Sequence, residues 1–232
     1  MSKLKIFADG ADEKEILKFN NMKIISGLTT NPSLMKKSGV KNYEDFCTKI
    51  LKKVKKPISF EIFSDDEKNI YRQAKIISSW SKNVYVKIPV INTKNQSLSK
   101  VISKLSKEGI KLNITAVFTK KQINKIINCL DSKTPAILSI FCGRIADAGK
   151  DVSVFIKYAK KVRGKKKNIK ILWASTRELY NLVEAKKLNC DIITVPTSIL
   201  NKINLLGKNL DKYSLETVKM FYQDAKKAGF KL

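Results

Sequence analysis

Residues 83–90, NVYVKIPV, decide how this chain is read. The run is apolar on both faces except for one lysine, Lys87, between Val86 and Ile88. A strand apolar on both faces belongs inside a parallel sheet with helices covering it on each side. Lysine is almost never buried without a reason, so this one position raises the question of fold and of chemistry together.

The same kind of run recurs on either side of it: LKIFAD at 4–9, IISGL at 24–28, PISFEIF at 57–63, KLNITAVF at 111–118, AILSIFC at 136–142, IKILWAS at 169–175 and DIITVP at 191–196. Amphipathic stretches between them predict helices near 11–20, 42–55, 66–81, 97–108, 119–130, 151–163, 176–187 and, in short form, 197–205. Alternation of strand and helix implies right-handed crossovers and a parallel sheet. Eight such units in 232 residues predict a closed (β/α)8 barrel, one domain spanning residues 1–232. A doubly wound open sheet is the runner-up, but it commonly has five or six strands, and no GxGxxG follows the first run. A ninth, extra C-terminal helix is expected at about 214–228, with Leu215, Val218, Phe221, Tyr222 and Ala225 on one face. It either closes the barrel mouth or packs on another copy of the chain.

Composition narrows the chemistry by exclusion. There is no histidine, so histidine triads, histidine-ligated metals and histidine phosphocarriers are ruled out, and acid–base work falls to Lys, Asp, Glu, Thr, Ser or Tyr. The four cysteines, Cys47, Cys129, Cys142 and Cys190, lack CxxC spacing, so neither a metal site nor a disulfide framework is expected. No apolar run reaches the roughly 20 residues of a membrane helix, and the N-terminus has no signal-peptide core, which points to a cytoplasmic protein with no membrane partner. The formal charge of +27 raises a nucleic-acid-binding alternative. Against it, only Arg72, Arg144, Arg163 and Arg177 among the 47 basic residues are arginines, and the lysines are spread over nearly every helix. No nucleic-acid partner is expected. The charge reads as a solvated basic surface that helps to attract anionic substrates.

Active sites of such barrels lie at the C-terminal ends of the strands. The polar residues there are Asp9, then Thr29, Thr30 and Asn31, then Glu61, Lys87, Asn113 with Thr115, Ser139 with Arg144, Ser175 with Arg177, and at most Thr194 on the eighth strand. Lys87 stands out. Burial disfavours its ammonium, Arg144 or Arg177 nearby would push the same way, and a neutral amine attacks a ketone to form a Schiff base. Asp9 and Glu61 are the acids placed to move protons, and Thr115 could position a water. Arg144 and Arg177 offer planar, bidentate contacts to a phosphate.

Six strings in register, GLTTNPSL at 27–34, VYVKIPV at 84–90, LNITAVF at 112–118, SIFCGRIADAG at 139–149, WASTR at 173–177 and ITVP at 193–196, together resemble the transaldolase family. The short chain resembles its small branch, which also holds the fructose-6-phosphate aldolases. The resemblance implies a class I transaldolase that passes a dihydroxyacetone unit from a ketose phosphate such as sedoheptulose 7-phosphate to an aldose phosphate such as glyceraldehyde 3-phosphate, in the pentose phosphate pathway, with no metal or organic cofactor. It implies Lys87 as the Schiff-base lysine, Asp9 as the acid–base residue, and Glu61 with Thr115 on the catalytic water. Asn31 and Asn113 would bind dihydroxyacetone hydroxyls, Thr29, Ser139 and Phe141 would line the site, and Arg144, Ser175 and Arg177 would hold the phosphate. Glu61 and Phe141 are of the transferase kind, where aldolases of the branch tend to carry Gln and Tyr, so an aldolase is the alternative activity. In the small branch the last helix often crosses to a neighbour, which implies a homo-oligomer. Ile140 stands where the family usually has proline, Thr176 where an aromatic is common, and Cys142 has no assigned role.

Overall fold

The computed structural model describes residues 4–231. Eight strands, β1 (Lys5–Asp9), β2 (Ile25–Thr29), β3 (Ile58–Glu61), β4 (Val84–Pro89), β5 (Leu112–Val117), β6 (Ala136–Ile140), β7 (Ile169–Trp173) and β8 (Ile192–Pro196), pair in parallel in chain order. β8 pairs back onto β1, closing the barrel that the alternating runs predict. Around it run α1 (Glu13–Asn21), α2 (Pro32–Lys37), α3 (Tyr43–Lys53), α4 (Glu67–Ser79), α5 (Ser99–Lys107), α6 (Lys120–Cys129), α7 (Cys142–Asp147), α8 (Val152–Arg163), α9 (Asn181–Lys187), α10 (Thr197–Leu200) and α11 (Leu210–Ala228).

Side chains alternate across each strand, and that alternation builds two cores. Val86, Ile88, Phe60, Leu138, Trp173 and Ile193 face outward into the large core shared with the helices. Phe7, Ile137, Leu172 and Ile192, with Tyr85 against them, form a smaller cluster that plugs the barrel interior. Gly27 makes room for the Phe7 ring, since a Cβ there would lie 2.5 Å from it. Two residues above this apolar plug, the same inward faces carry Asp9, Lys87, Ser139 and Thr194. The plug supports a polar layer at the C-terminal mouth.

Five features differ from the sequence expectation. α2 is an added helix. Asn31 caps it by accepting from the Leu34 N–H, and Pro32 opens it, a pairing of cap and first-turn proline that favours a helix start. α7 is also added: the sixth strand ends at Ile140, and Cys142 already begins a helix of six residues. α9 starts at Asn181 rather than near 176, because Asn181 Oδ1 accepts from the backbone N–H of Arg177 and Glu178 and so holds residues 177–180 as a loop. The stretch 197–205 splits into α10 and a 3-10 turn at Ile203–Leu205, and α11 begins four residues earlier than expected, capped by Asn209.

α11 has no buried residue. Leu210, Tyr213, Leu215, Val218, Met220, Phe221 and Tyr222 are all exposed on it. No helix of the described residues is long and apolar enough to cross a membrane.

Candidate active site

A cavity of about 560 Å³ opens at the C-terminal ends of the strands, and all twelve site residues expected from the sequence line it: Asp9, Thr29, Asn31, Glu61, Lys87, Asn113, Thr115, Ser139, Phe141, Arg144, Ser175 and Arg177. Its size falls within the roughly 300–1,000 Å³ typical of small-molecule sites.

Lys87 is 7% exposed. It is not the isolated amine that its apolar run suggests. The register sets Glu61 and Asn113 directly across from it on β3 and β5. Its Nζ lies 3.0 Å from Glu61 Oε2 and donates to the Thr30 carbonyl at 2.9 Å. Thr30 is itself fixed, its hydroxyl donating to the Ser59 carbonyl. The Glu61 carbonyl accepts from the Tyr43 hydroxyl at 2.6 Å. Burial raises the Tyr43 hydroxyl above its ordinary range, so it stays protonated and keeps donating.

Asp9 sits across the mouth on β1. Burial pushes its carboxyl above the usual carboxylate range, while the charge of Lys87 and a hydrogen bond from the Thr29 hydroxyl, at 2.7 Å, act in the opposite direction. A buried carboxyl raised in this way, beside a cationic amine, is the kind of group that acid–base chemistry uses.

Asn113 is fully buried and oriented at both ends. Its Oδ1 accepts from the Ser139 hydroxyl at 2.6 Å and its Nδ2 donates to Ser59 Oγ at 2.9 Å. Asn31 spends its oxygen on capping α2, which leaves its amide hydrogens as the donors on the cavity side. Thr115 is held by an irregularity in β5, where the register shifts between Ile114 and Val117 and Ala116 takes a φ of +55°. Its hydroxyl is buried with no hydrogen-bond partner among the described residues, which is rare for a buried polar group.

The arginine side of the cavity depends on another close approach. Ser175 has a φ of +63°, and its carbonyl would lie 1.6 Å from a Cβ at position 143, so only glycine lets α7 dock there. That docking sets Arg144 beside the loop that carries Arg177. Arg144 rests over the Phe141 ring at 5.6 Å. Arg177 is bound to Asp147, whose Oδ2 accepts from Nε at 3.0 Å and from Nη2 at 2.6 Å, and both side chains are about half exposed. Phe118 packs on Phe141 with centroids 5.4 Å apart.

Three supporting residues carried no role in the sequence reading. Ser59 was legible, being two residues before Glu61 and thus on the same face. Tyr43 was not, because it reaches Glu61 from a helix eighteen positions away. Thr176 donates to the Thr194 carbonyl at 2.7 Å and ties β8 to the loop after β7. Cys142 belongs to the outer core, where burial raises its thiol well above the ordinary value. No cluster of three or more possible metal ligands occurs among the described residues.

Fold and cavity define a class: (β/α)8 barrels with a lysine-centred polar pocket above the strands. Residues 6–232 match the Transaldolase/Fructose-6-phosphate aldolase family. The chain is 36% identical to a probable transaldolase of Nitrosopumilus maritimus, over 92% of each chain. It is 34% identical to one from Methanococcus maripaludis, over 86% of this chain and 89% of the relative. It is 33% identical to one from a Thermoanaerobacter species, over 99% of this chain and all of the relative. The chain therefore belongs to the transaldolase/fructose-6-phosphate aldolase family.

Proposed function

We propose that the protein is a transaldolase working through a Schiff base on Lys87. The observation that carries this reading is the placement of the Lys87 amine, buried at the cavity floor and 3.0 Å from the Glu61 carboxylate. The amine attacks the ketone of a ketose phosphate such as sedoheptulose 7-phosphate or fructose 6-phosphate. Glu61, with a water held by Thr115, carries protons as the carbinolamine loses water and becomes an iminium. Asp9 takes the C4 hydroxyl proton. The C3–C4 bond breaks, its electrons pass into the iminium, and an aldose phosphate leaves. The three-carbon enamine stays on Lys87 until an acceptor, glyceraldehyde 3-phosphate or erythrose 4-phosphate, takes it up, and hydrolysis frees the new ketose phosphate.

The nitrogen is the electron sink, so the cycle calls for no metal or organic cofactor. Phe141 favours transfer over release of free dihydroxyacetone, because its ring brings no hydroxyl to protonate the enamine. Asn31 and Asn113 would bind the hydroxyls of the three-carbon unit, with Thr29 and Ser139 as wall. The test is borohydride reduction in the presence of fructose 6-phosphate, followed by peptide mass spectrometry. A reduced three-carbon adduct on Lys87 is the expected result. Absence of an adduct with either ketose phosphate would remove the reading.

Arg144, Ser175 and Arg177 would hold the substrate phosphate. Arg177→Ala is expected to raise KM for phosphorylated acceptors roughly 10- to 100-fold, the loss of a charge-assisted phosphate contact of about 1.5–3 kcal/mol. KM for unphosphorylated glyceraldehyde should stay nearly the same. An unchanged KM for the phosphorylated acceptor would contradict the phosphate role.

The protein also acts as a homo-oligomer on this reading. In support, α11 buries none of its apolar residues, while an apolar groove of about 840 Å³, lined by Leu4, Ile6, Leu182, Val183 and Leu206, lies on the barrel's outer wall. Exposed apolar surface of this extent marks an interface. Sedimentation should show an assembly that dissociates on removal of residues 209–232. A monomer at micromolar concentration would refute it.

A further inference from the structure

Thr194 has no role in the scheme above. Its position gives it one. β1 is flanked by β2 and β8, with Asp9 level with Thr29 on one side and Phe7 level with Thr194 on the other. Thr29 and Thr194 therefore meet inside the barrel just beneath the Asp9 carboxyl, and their hydroxyls are hydrogen-bonded to each other. Thr29 is 2% exposed and Thr194 is 6% exposed, at the buried floor of the cavity.

Proton counting fixes the direction of this chain. A carboxylate only accepts, and a hydroxyl has one proton to give. Thr29 gives its proton to Asp9 Oδ1. It must then accept from Thr194, which leaves Thr194 as the donor. The Thr194 carbonyl is in turn pinned by the Thr176 hydroxyl. The order Thr194 to Thr29 to Asp9 is the only one that satisfies both bonds while Asp9 is ionised, and each donor polarises the next. Once Asp9 is protonated it can donate itself, and the order is no longer forced.

We propose that Thr194 is a positioning residue that acts through Thr29 to hold Asp9 ready as the base for C–C cleavage. This rests on the transaldolase reading for the role of Asp9, but the hydrogen-bond relay can be tested without it. The other charged groups around Asp9 are Lys87 and Glu61 on β4 and β3, Arg144 and Arg177 across the cavity, and Glu15 on α1, whose carboxylate accepts from Thr197. Thr194→Val leaves all of them in place and removes only the donor at nearly constant volume.

The experiment is a carbon-13 titration of aspartate-labelled protein, with the Asp9 signal assigned by its loss in Asp9→Asn. In Thr194→Val, Asp9 should titrate about 0.5–1 unit higher than in the wild type, because the bond favouring the ionised form is weakened. Thr194→Ser should restore the wild-type value. In turnover, Thr194→Val should move the acid limb of the kcat profile upward by the same amount, lowering kcat about 3- to 10-fold at a pH on that limb while leaving the plateau at higher pH and KM nearly unchanged. Should Thr194→Val fold poorly, Thr194→Ala gives the same reading. An unshifted Asp9 in a folded variant would overturn the relay whatever the activity. A wild type that forms no borohydride adduct would instead overturn the transaldolase reading and leave the titration result standing.

Discussion

Lys87→Met should abolish turnover and the borohydride adduct together. Methionine matches the length of the lysine stem but has no amine, so no covalent intermediate forms. Removing the nucleophile of a covalent mechanism commonly costs on the order of 10⁴ to 10⁶ in kcat. The structure adds a second consequence. Lys87 and Glu61 are a nearly buried pair, 9% and 13% exposed at the side chain. Taking away one partner leaves the other as a poorly solvated charge, which is destabilising. Lys87→Met should therefore also melt earlier than the wild type. The double variant Lys87→Met/Glu61→Gln should recover much of that stability while staying inactive. This separates the loss of chemistry from the loss of fold. Measurable turnover by folded Lys87→Met would show that catalysis does not run through this amine.

Gly143→Ala should also be damaging, although residue 143 bears no functional group. The added Cβ would sit 1.6 Å from the Ser175 carbonyl oxygen, 2.8 Å from its carbon and 2.9 Å from Arg177 Cγ. Two of these atoms are backbone in a left-handed conformation, so the wall cannot give way by turning a side chain. α7 must move outward by more than an ångström, and Arg144 moves with it. A displacement of about 1 Å at a positioning element can cost about 100-fold in kcat/KM. Overpacking of this kind commonly destabilises by about 1–3 kcal/mol. The expected signature is a lowered Tm together with a raised KM for phosphorylated substrates, read by calorimetry and steady-state kinetics. Wild-type Tm and kinetics in Gly143→Ala would mean that α7 does not need this close docking.

The chain belongs with the transaldolases and fructose-6-phosphate aldolases, a family that spans both activities by name. On the proposed reading, the choice between transfer and release would rest on side chains in this cavity, chiefly Glu61 and Phe141. The basic surface fits either activity, since both would take phosphorylated, anionic substrates.

The sequence by itself determined the barrel, its strand order and the residues at its mouth. It could do so because parallel buried strands are written as short apolar runs and because side chains alternate strictly along them. The rule that such barrels work at the C-terminal ends of their strands then picks out the polar residues in or just after each run, Asp9, Glu61, Asn113, Thr115 and Ser139 among them. The short helices α2 and α7 escaped that reading, since six residues are too few to show a helical period, although the Asn31–Pro32 start was a local signal. Tertiary structure alone decided which groups touch. It paired Lys87 with Glu61, tied Arg177 to Asp147, brought Tyr43 to the Glu61 carbonyl and joined Thr194 to Asp9 through Thr29. These contacts link residues 18 to 165 positions apart. No local pattern encodes them, because they follow from the register and closure of the whole sheet.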